Sequence, residues 1–275
     1  MTSLRLLIIG AHPDDADFGA GGLSALYSRL GHTVKMVSVT NGDAGHHEMG
    51  GGPLAQRRRI EAANAGRCVG AEYITLDNHD GSLLPSLEVR HQLIALIREF
   101  QPDLMTTHRP NDYHPDHRYT SQLVQDASYL LTVPNVVSHV PHLMTMPVIV
   151  YTWDHFQRPY PFAPNVVVDI DEVFEQKIDA LHCHVSQMYE WLPYNDGSLA
   201  QVPAGEKERR AWLRGFRAPR FRRAAELYRE MLVADYGEER GRRVEFAEAF
   251  EACEYGSPLT AEKKAILFPF VNAGL

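Results

Sequence analysis

Cysteine is scarce in this 275-residue sequence: Cys68, Cys183 and Cys253 stand far apart, form no CxxC pair, and leave one thiol over even if two were bridged. A reducing compartment fits that usage, and the chain is read as cytoplasmic. Long apolar runs are missing as well. The first, Leu4 to Ile9, is too short for a signal-peptide core and soon meets Asp14 and Asp15. No stretch approaches the roughly 20 apolar residues of a membrane span. Positive charge is in deficit, with a formal net charge of -8 and a pI near 5.9. No sustained basic stripe interleaves with aromatics, so nucleic-acid binding lacks its main driving force. The clusters Arg57 to Arg59 and Arg217 to Arg223 are the local exceptions, and such runs are usually solvated helix faces. Internal repeats and low-complexity linkers are also absent.

What remains, 44% hydrophobic and 23% charged, is the composition of a globular protein with a full core. Leu4 to Ile9 is apolar without alternation, as in a parallel strand covered on both faces. After a polar, glycine-containing stretch, Leu23, Leu26, Tyr27 and Leu30 recur at helical spacing, and Gly31 supplies a C-cap. The alternation continues with a strand over Val34 to Val39, a helix over Leu54 to Val69 and a strand over Tyr73 to Leu76. Then come a helix over Leu87 to Phe100, a strand over Leu104 to Thr107, and a helix entered at Pro115 with Leu123, Val124, Ala127, Leu130 and Leu131 on one face. Such βαβ units predict an α/β fold, a mostly parallel sheet with helices on both sides, and a ligand at the carboxyl ends of its strands. Beyond residue 132 the signal weakens. Val148 to Tyr151 and Val166 to Ile170 read as strands, Glu172 to Trp191 as one helix, and Glu206 to Phe250 as mostly helical. A single unit is expected, with residues 1–135 as the parallel core and 136–275 as a mixed and helical extension completing sheet and pocket.

Two stretches carry chemistry. Ala11-His12-Pro13-Asp14-Asp15 follows the first strand, and adjacent carboxylates there can divide two jobs, one on a metal and one facing water. Asn111-Asp112-Tyr113-His114-Pro115-Asp116-His117 follows the fourth strand and enters a helix, so His114 and His117 can view one cavity from different heights. Two histidines and a carboxylate with an open fourth position is a ligand set of catalytic zinc, for which hydrolysis is the natural consequence.

The pair AHPDD and HPDH, each on its own strand end, resembles the LmbE-like, or PIG-L, zinc-dependent deacetylases, which remove acetyl from N-acetylglucosaminyl compounds. Thr40 to Gly45, Arg58-x-x-Glu61, Asp80-Gly81 and His184-x-Ser186-Gln187 extend the resemblance. It implies a Rossmann-like three-layer sandwich and one Zn2+ per chain held by His12, Asp15 and His117. Asp14 would be the general base toward the attacking water. His114 would stabilise the oxyanion or protonate the leaving amine, with Asp116 orienting it and its carboxylate favouring the imidazolium form. The substrate implied is a small N-acylated amino sugar or conjugate. Oligomeric state stays open, although relatives in that family commonly associate. The chain departs from the family pattern at Ala16-Asp17, where Glu often follows AHPDD, and in lacking a certain counterpart of an active-site tyrosine, since Tyr113 directly precedes His114.

Arg58, Asp80, Tyr113 and His184 are secondary candidates for substrate contact. Their plainer readings are an Arg58–Glu61 helix pair, a turn-capping Asp80 and a packed His184 on an amphipathic helix. The glycine-rich loop from Asn41 to Pro53 could close over substrate or be a mobile surface loop, and its His46, His47 and Glu48 lack a partner spacing for a second metal. Three rival functions are weighed. A nucleotide-binding module is disfavoured because Gly19-Ala20-Gly21-Gly22 does not match GxGxxG. A metal-dependent phosphoesterase would need bridging carboxylates for two ions. A non-catalytic sugar-binding protein would not need Asp14 and His114.

Overall fold

The computed structural model describes residues 3–271. In chain order the elements are β1 (Arg5–Gly10), α1 (Asp15–Arg29), β2 (Thr33–Thr40), α2 (Gly51–Cys68), β3 (Glu72–Asn78), α3 (Leu87–Phe100), β4 (Leu104–Thr107) and α4 (Pro115–Leu130). After them come β5 (Val148–Thr152), β6 (Val166–Asp169), α5 (Phe174–Cys183), α6 (Leu192–Asn195), α7 (Glu206–Leu227), α8 (Arg229–Tyr236), α9 (Glu238–Arg243), β7 (Ala247–Ala252) and α10 (Ala261–Leu267).

Among the described residues, seven strands form one sheet in the order β3-β2-β1-β4-β5-β7-β6. The β3-β2-β1-β4-β5 portion is parallel, and β7 runs antiparallel to both β5 and β6. The apolar run of β1 explains its central place, because successive side chains point to opposite faces and both faces are covered. Leu6 and Ile8 enter one cluster with α1, α5 and α7 residues such as Leu23, Ile178 and Phe221. Leu7 and Ile9 enter the other, with Leu93 and Ile97 of α3 and Leu123 and Val124 of α4. Each such buried side chain contributes about 1.5–3 kcal/mol relative to exposure. The result is the three-layer α/β sandwich expected from the βαβ alternation.

Three elements differ from the sequence expectation. The first helix begins at Asp15, so Gly19 to Gly22 lie inside it, with a kink at Ala20 (φ -145°). The kink frees the amides of Gly22 and Leu23, which donate to the two carboxylate oxygens of Glu248 on β7 at 2.7 and 2.8 Å. A Cβ at Gly22 would come within 2.6 Å of Ile170 and 2.9 Å of Glu248, so glycine is needed for this approach. The expected helix Glu172 to Trp191 breaks at His184, and a π-helical turn, Ser186–Trp191, follows. Helical reading also fails at β7, whose Ala-Glu-Ala-Phe-Glu-Ala sequence favours a helix by propensity. Tertiary pairing prevails there: Glu248 finds the α1 amides and the Lys177 ammonium, and the strand fills the gap between β5 and β6.

β1 is flanked by β2 on one side and β4 on the other, so strand order reverses beside it. Crevices at such a reversal are where α/β sheets bind ligands.

Candidate metal centre and active site

Two loops build the site. The first leaves β1, where Asp14 N and Asp15 N donate to His12 O at 2.8 and 3.2 Å, and Asp15 Oδ2 accepts from His12 N at 2.7 Å. This tight turn sets the His12 ring beside the Asp15 carboxylate. It sends Asp14 toward Arg58 on α2, whose Nη2 donates to Asp14 Oδ1 at 3.2 Å. The second loop leaves β4 and enters α4, with His114 as N-cap and Pro115 in the first turn, where its missing N–H costs nothing.

Three donor atoms converge across the loops. His12 Nδ1 lies 3.3 Å from Asp15 Oδ2, His117 Nε2 lies 3.4 Å from the same oxygen, and the two ring nitrogens are 3.2 Å apart. A tetrahedral ion bound at about 2.0–2.1 Å has ligand edges of about 3.3–3.4 Å, so the triangle fits one. The far ring nitrogens face carboxylates. His12 Nε2 is 3.1 Å from Asp80 and 3.4 Å from Asp116, while His117 Nδ1 is 3.1 Å from Asp112. Outer carboxylates of this kind fix the tautomer and raise the basicity of ligating imidazoles.

The electrostatics reflect three close groups. Burial works to raise the Asp15 carboxyl, yet the charges of His117 and His108 overcome it and hold Asp15 well below the usual carboxylate range. Burial lowers His117, but Asp15 and Asp112 reverse this and push it up to about 9. His12 is likewise raised well above its ordinary value, against burial, by Asp116, Asp15 and Asp80. Such mutual stabilisation of opposite charges is what a cation placed among them would replace.

His114 and Asp116 depart from the expected pairing. The Asp116 carboxylate accepts from Gly81 N at 2.7 Å and faces His12, not His114. It is the Asp116 backbone N–H that donates to His114 Nδ1, at 3.2 Å. Burial, then the charges of His12 and His117, lower the His114 pKa, so the imidazolium form is disfavoured. The helix N-terminus explains the exchange: its free N–H takes the ring nitrogen, and the carboxylate turns inward.

The loops open into a cavity of about 480 Å³ lined by His12, Asp14, Asp15, His114 and His117. Arg58 reaches it paired with Asp14 and Asp80 (3.2 and 3.5 Å), whereas the helix partner of Glu61 is Arg57. Asp80 also lines it, and the exposed Tyr113 ring stands 5.7 Å from both His114 and His117. His184 does not line it. That side chain is sealed in the core with Nε2 2.9 Å from Asp17 Oδ2, which identifies the role of the family-departing Asp17. The first part of the 41–53 loop is anchored: Gly42 O accepts from Arg58 and Gly45 O from Gln187, at 3.2 and 2.9 Å. His46 pairs with Glu190 at 2.8 Å.

Several further residues line the cavity. His108 follows β4 directly, stacks on His117 at 4.1 Å and stands 3.3 Å from Asp15 Oδ2; a charged-capable residue ending an apolar strand was the available signal. Gln187 and Trp153 line the cavity too, as do Arg217 and Arg220 of the cluster read as a solvated face. Further groups near enough to share an ion overlap the first triangle, including Asp15, His108 and His117, and His12, Asp80 and Asp116. In the latter, Asp116 is engaged by the Gly81 amide and Asp80 lies beside Arg58.

Fold and site together define an α/β protein with a His/Asp metal centre at the carboxyl ends of β1 and β4. A family model described as PIG-L, GlcNAc-PI de-N-acetylase, matches residues 7–128. Diacetylchitobiose deacetylase of Thermococcus kodakarensis is 30% identical over 207 residues, covering 69% of this chain and 74% of the relative. A 4-oxalmesaconate hydratase of Pseudomonas putida is 25% identical over 201 residues, 70% of this chain and 78% of that one. Among solved structures, N,N'-diacetylchitobiose deacetylase from Pyrococcus horikoshii superposes with a TM-score of 0.70 at 26% identity, over 91% of this chain and 84% of the other. The chain belongs to the PIG-L (LmbE-like) family.

Proposed function

We propose that this chain is a zinc-dependent hydrolase that removes an acetyl, or other acyl, group from the amide nitrogen of an N-acetylglucosamine-like substrate. The observation that carries the reading is the 3.2–3.4 Å triangle of His12, Asp15 and His117 in the wall of the cavity that also holds Asp14. These three would hold one ion per chain, and when bound it supplies Lewis acidity toward the scissile carbonyl and toward water.

The remaining work falls to side chains. Asp14 is the base that takes the proton of the attacking water, its carboxylate kept in place by Arg58. Because His114 Nδ1 accepts the Asp116 N–H, a neutral ring carries its proton on Nε2, which makes no protein hydrogen bond among the described residues. That N–H donates a hydrogen bond to the carbonyl oxygen as negative charge develops there, and the proton taken up by Asp14 passes to the leaving nitrogen as the C–N bond breaks. In this reading Asp80, Arg58 and Tyr113 contact the sugar, and Asp116 and Asp112 hold the His12 and His117 rings. We also take residues 1–275 as one catalytic unit working in the cytoplasm, with residues 136–275 supplying the far wall of the pocket. The odd number of cysteines, widely spaced in sequence and without a CxxC pair, supports that setting. No helix among the described residues is long and apolar enough to cross a membrane.

The Pseudomonas putida relative, together with the arginines in the cavity, supports a second reading in which the same water is added to a double bond of a carboxylic acid. Zinc-loaded wild type and Asp14→Asn are compared on N-acetylated amino sugars and on 4-oxalmesaconate. Acetate release by the wild type alone supports the deacylase. Equal release by both proteins removes the mechanism, and turnover of 4-oxalmesaconate without acetate release favours the hydratase.

A further inference from the structure

We propose that Arg217 and Arg220 form an anion subsite in the cavity, which binds a carboxylate or phosphate group attached to the substrate. This rests on the deacylase reading for the name of the substrate class, an N-acylated amino sugar with an acidic substituent, but not for the existence of the subsite.

The two residues are three apart on α7, so they project from one face, and both line the cavity. The other arginines there are neutralised. Arg58 lies beside Asp14 and Asp80, and Arg109 donates to Asp154 Oδ1 at 2.9 Å. Arg217 and Arg220 have no carboxylate within ion-pair distance among the described residues. The only hydrogen bonds they make there are from Arg217 Nη2 to Met188 Sδ at 3.5 Å and from Arg220 Nη2 to Trp153 O at 3.1 Å. Arg217 Nε is sealed from solvent and unpartnered. A guanidinium has five N–H donors, so most of this pair's donor capacity is unspent.

Their setting is aromatic. Arg220 stands 4.7 Å over both Phe18 and Trp153, and Arg217 stands 5.2 Å over Phe18 and 5.1 Å over Phe216. Rings hold the guanidinium planes and strip water from them without neutralising them. Desolvation accordingly lowers Arg217, and lowers Arg220 to about 10 with the adjacent Arg217 charge adding to it. Keeping two like charges desolvated and unpaired costs free energy that a structural role does not explain, whereas an incoming anion would recover it. In a chain of net charge -8, this places two unpaired positive charges together in the cavity wall.

Calorimetric titration of malate, of inorganic phosphate and of neutral dimethyl malate into the wild type, Arg217→Met, Arg220→Met and the charge-retaining Arg217→Lys tests the subsite directly. Malate or phosphate should bind the wild type, dimethyl malate should not, and each Met variant should weaken the anion at least tenfold while Arg217→Lys retains part of it. Preference for one anion assigns carboxylate or phosphate. Failure of both anions to bind the wild type, or equal binding of the neutral ester, overturns the proposal without any variant having to fold. In parallel, N-acetylglucosaminyl malate, N-acetylglucosamine 1-phosphate and diacetylchitobiose are compared as substrates. Either Met variant should raise KM for the preferred acidic substrate about tenfold and leave diacetylchitobiose within about twofold. Equal losses on all three would contradict the subsite. If none releases acetate, the deacylase reading fails and the titrations still decide the subsite.

Discussion

His117 Nε2 stands 3.2 Å from His12 Nδ1, although the two residues are 105 positions apart in sequence, one in the turn after β1 and the other in the first turn of α4. Nothing local to either motif sets that distance. It comes from the parallel pairing of β1 with β4, where Leu6 lies opposite Leu104 and Ile8 opposite Thr106, so both loops emerge at one level of the sheet.

Asp112 should govern metal affinity without touching the metal. Its carboxylate faces His117 Nδ1 at 3.1 Å, and removal of such an outer partner typically costs about 10- to 100-fold. Zinc titration against a competing chelator should show that loss in Asp112→Asn. An unchanged affinity would mean that His117 is oriented by the chain alone.

Asp14→Asn should keep the metal and lose the rate. Since Asp14 is the proposed base, acetate release should fall about 10²- to 10⁴-fold while zinc per chain stays at the wild-type level. A variant that loses its zinc in step with activity would place Asp14 among the ligands instead.

Lys177 is predicted to matter for stability. It is fully buried, and its ammonium meets the Glu248 carboxylate that caps the α1 kink and donates to Phe18 O at 2.8 Å. Lys177→Met strands a buried carboxylate, at a cost of about 3–5 kcal/mol. Urea denaturation should show this loss, and Lys177→Met with Glu248→Gln should recover part of it. Equal stability of the single variant and wild type would refute the coupling.

His184→Ala separates a packing role from substrate contact. Both His184 and Asp17 are 0% exposed, so the variant should lose about 3–5 kcal/mol of stability. It should also loosen the π-helical turn that carries Gln187 and Trp191 to the cavity, raising KM while zinc content holds. Full stability with a selective loss of substrate binding would restore the contact role.

The parallel half of the fold was legible because its strands are short segments rich in apolar and β-branched residues and its helices keep a 3.6-residue period, down to the limits of α3 and β4. The residues of the His12, Asp15 and His117 cluster were legible as candidates because they sit in short motifs just past strand ends. What escaped depends on distant partners. β7 reads as a helix until Lys177 and the amides of α1 are there to receive Glu248. The exchange between Asp116 and His114 turns on which group takes a free helix N–H. Arg217 and Arg220 belong to a basic run like any solvated face, and only the packing of α7 against Phe18 and Trp153 turns them inward. His108 announces itself only as a polar residue after an apolar strand, and its stacking on His117 is set by the sheet.

The proposed chemistry depends on one cation shared by His12, Asp15 and His117. Crystals of the zinc-loaded chain, measured at wavelengths on either side of the zinc absorption edge, test it most directly. The account predicts a single anomalous peak about 2.0–2.2 Å from His12 Nδ1, an Asp15 oxygen and His117 Nε2. A peak among His12 Nε2, Asp80 and Asp116, or none at the triangle, would contradict it.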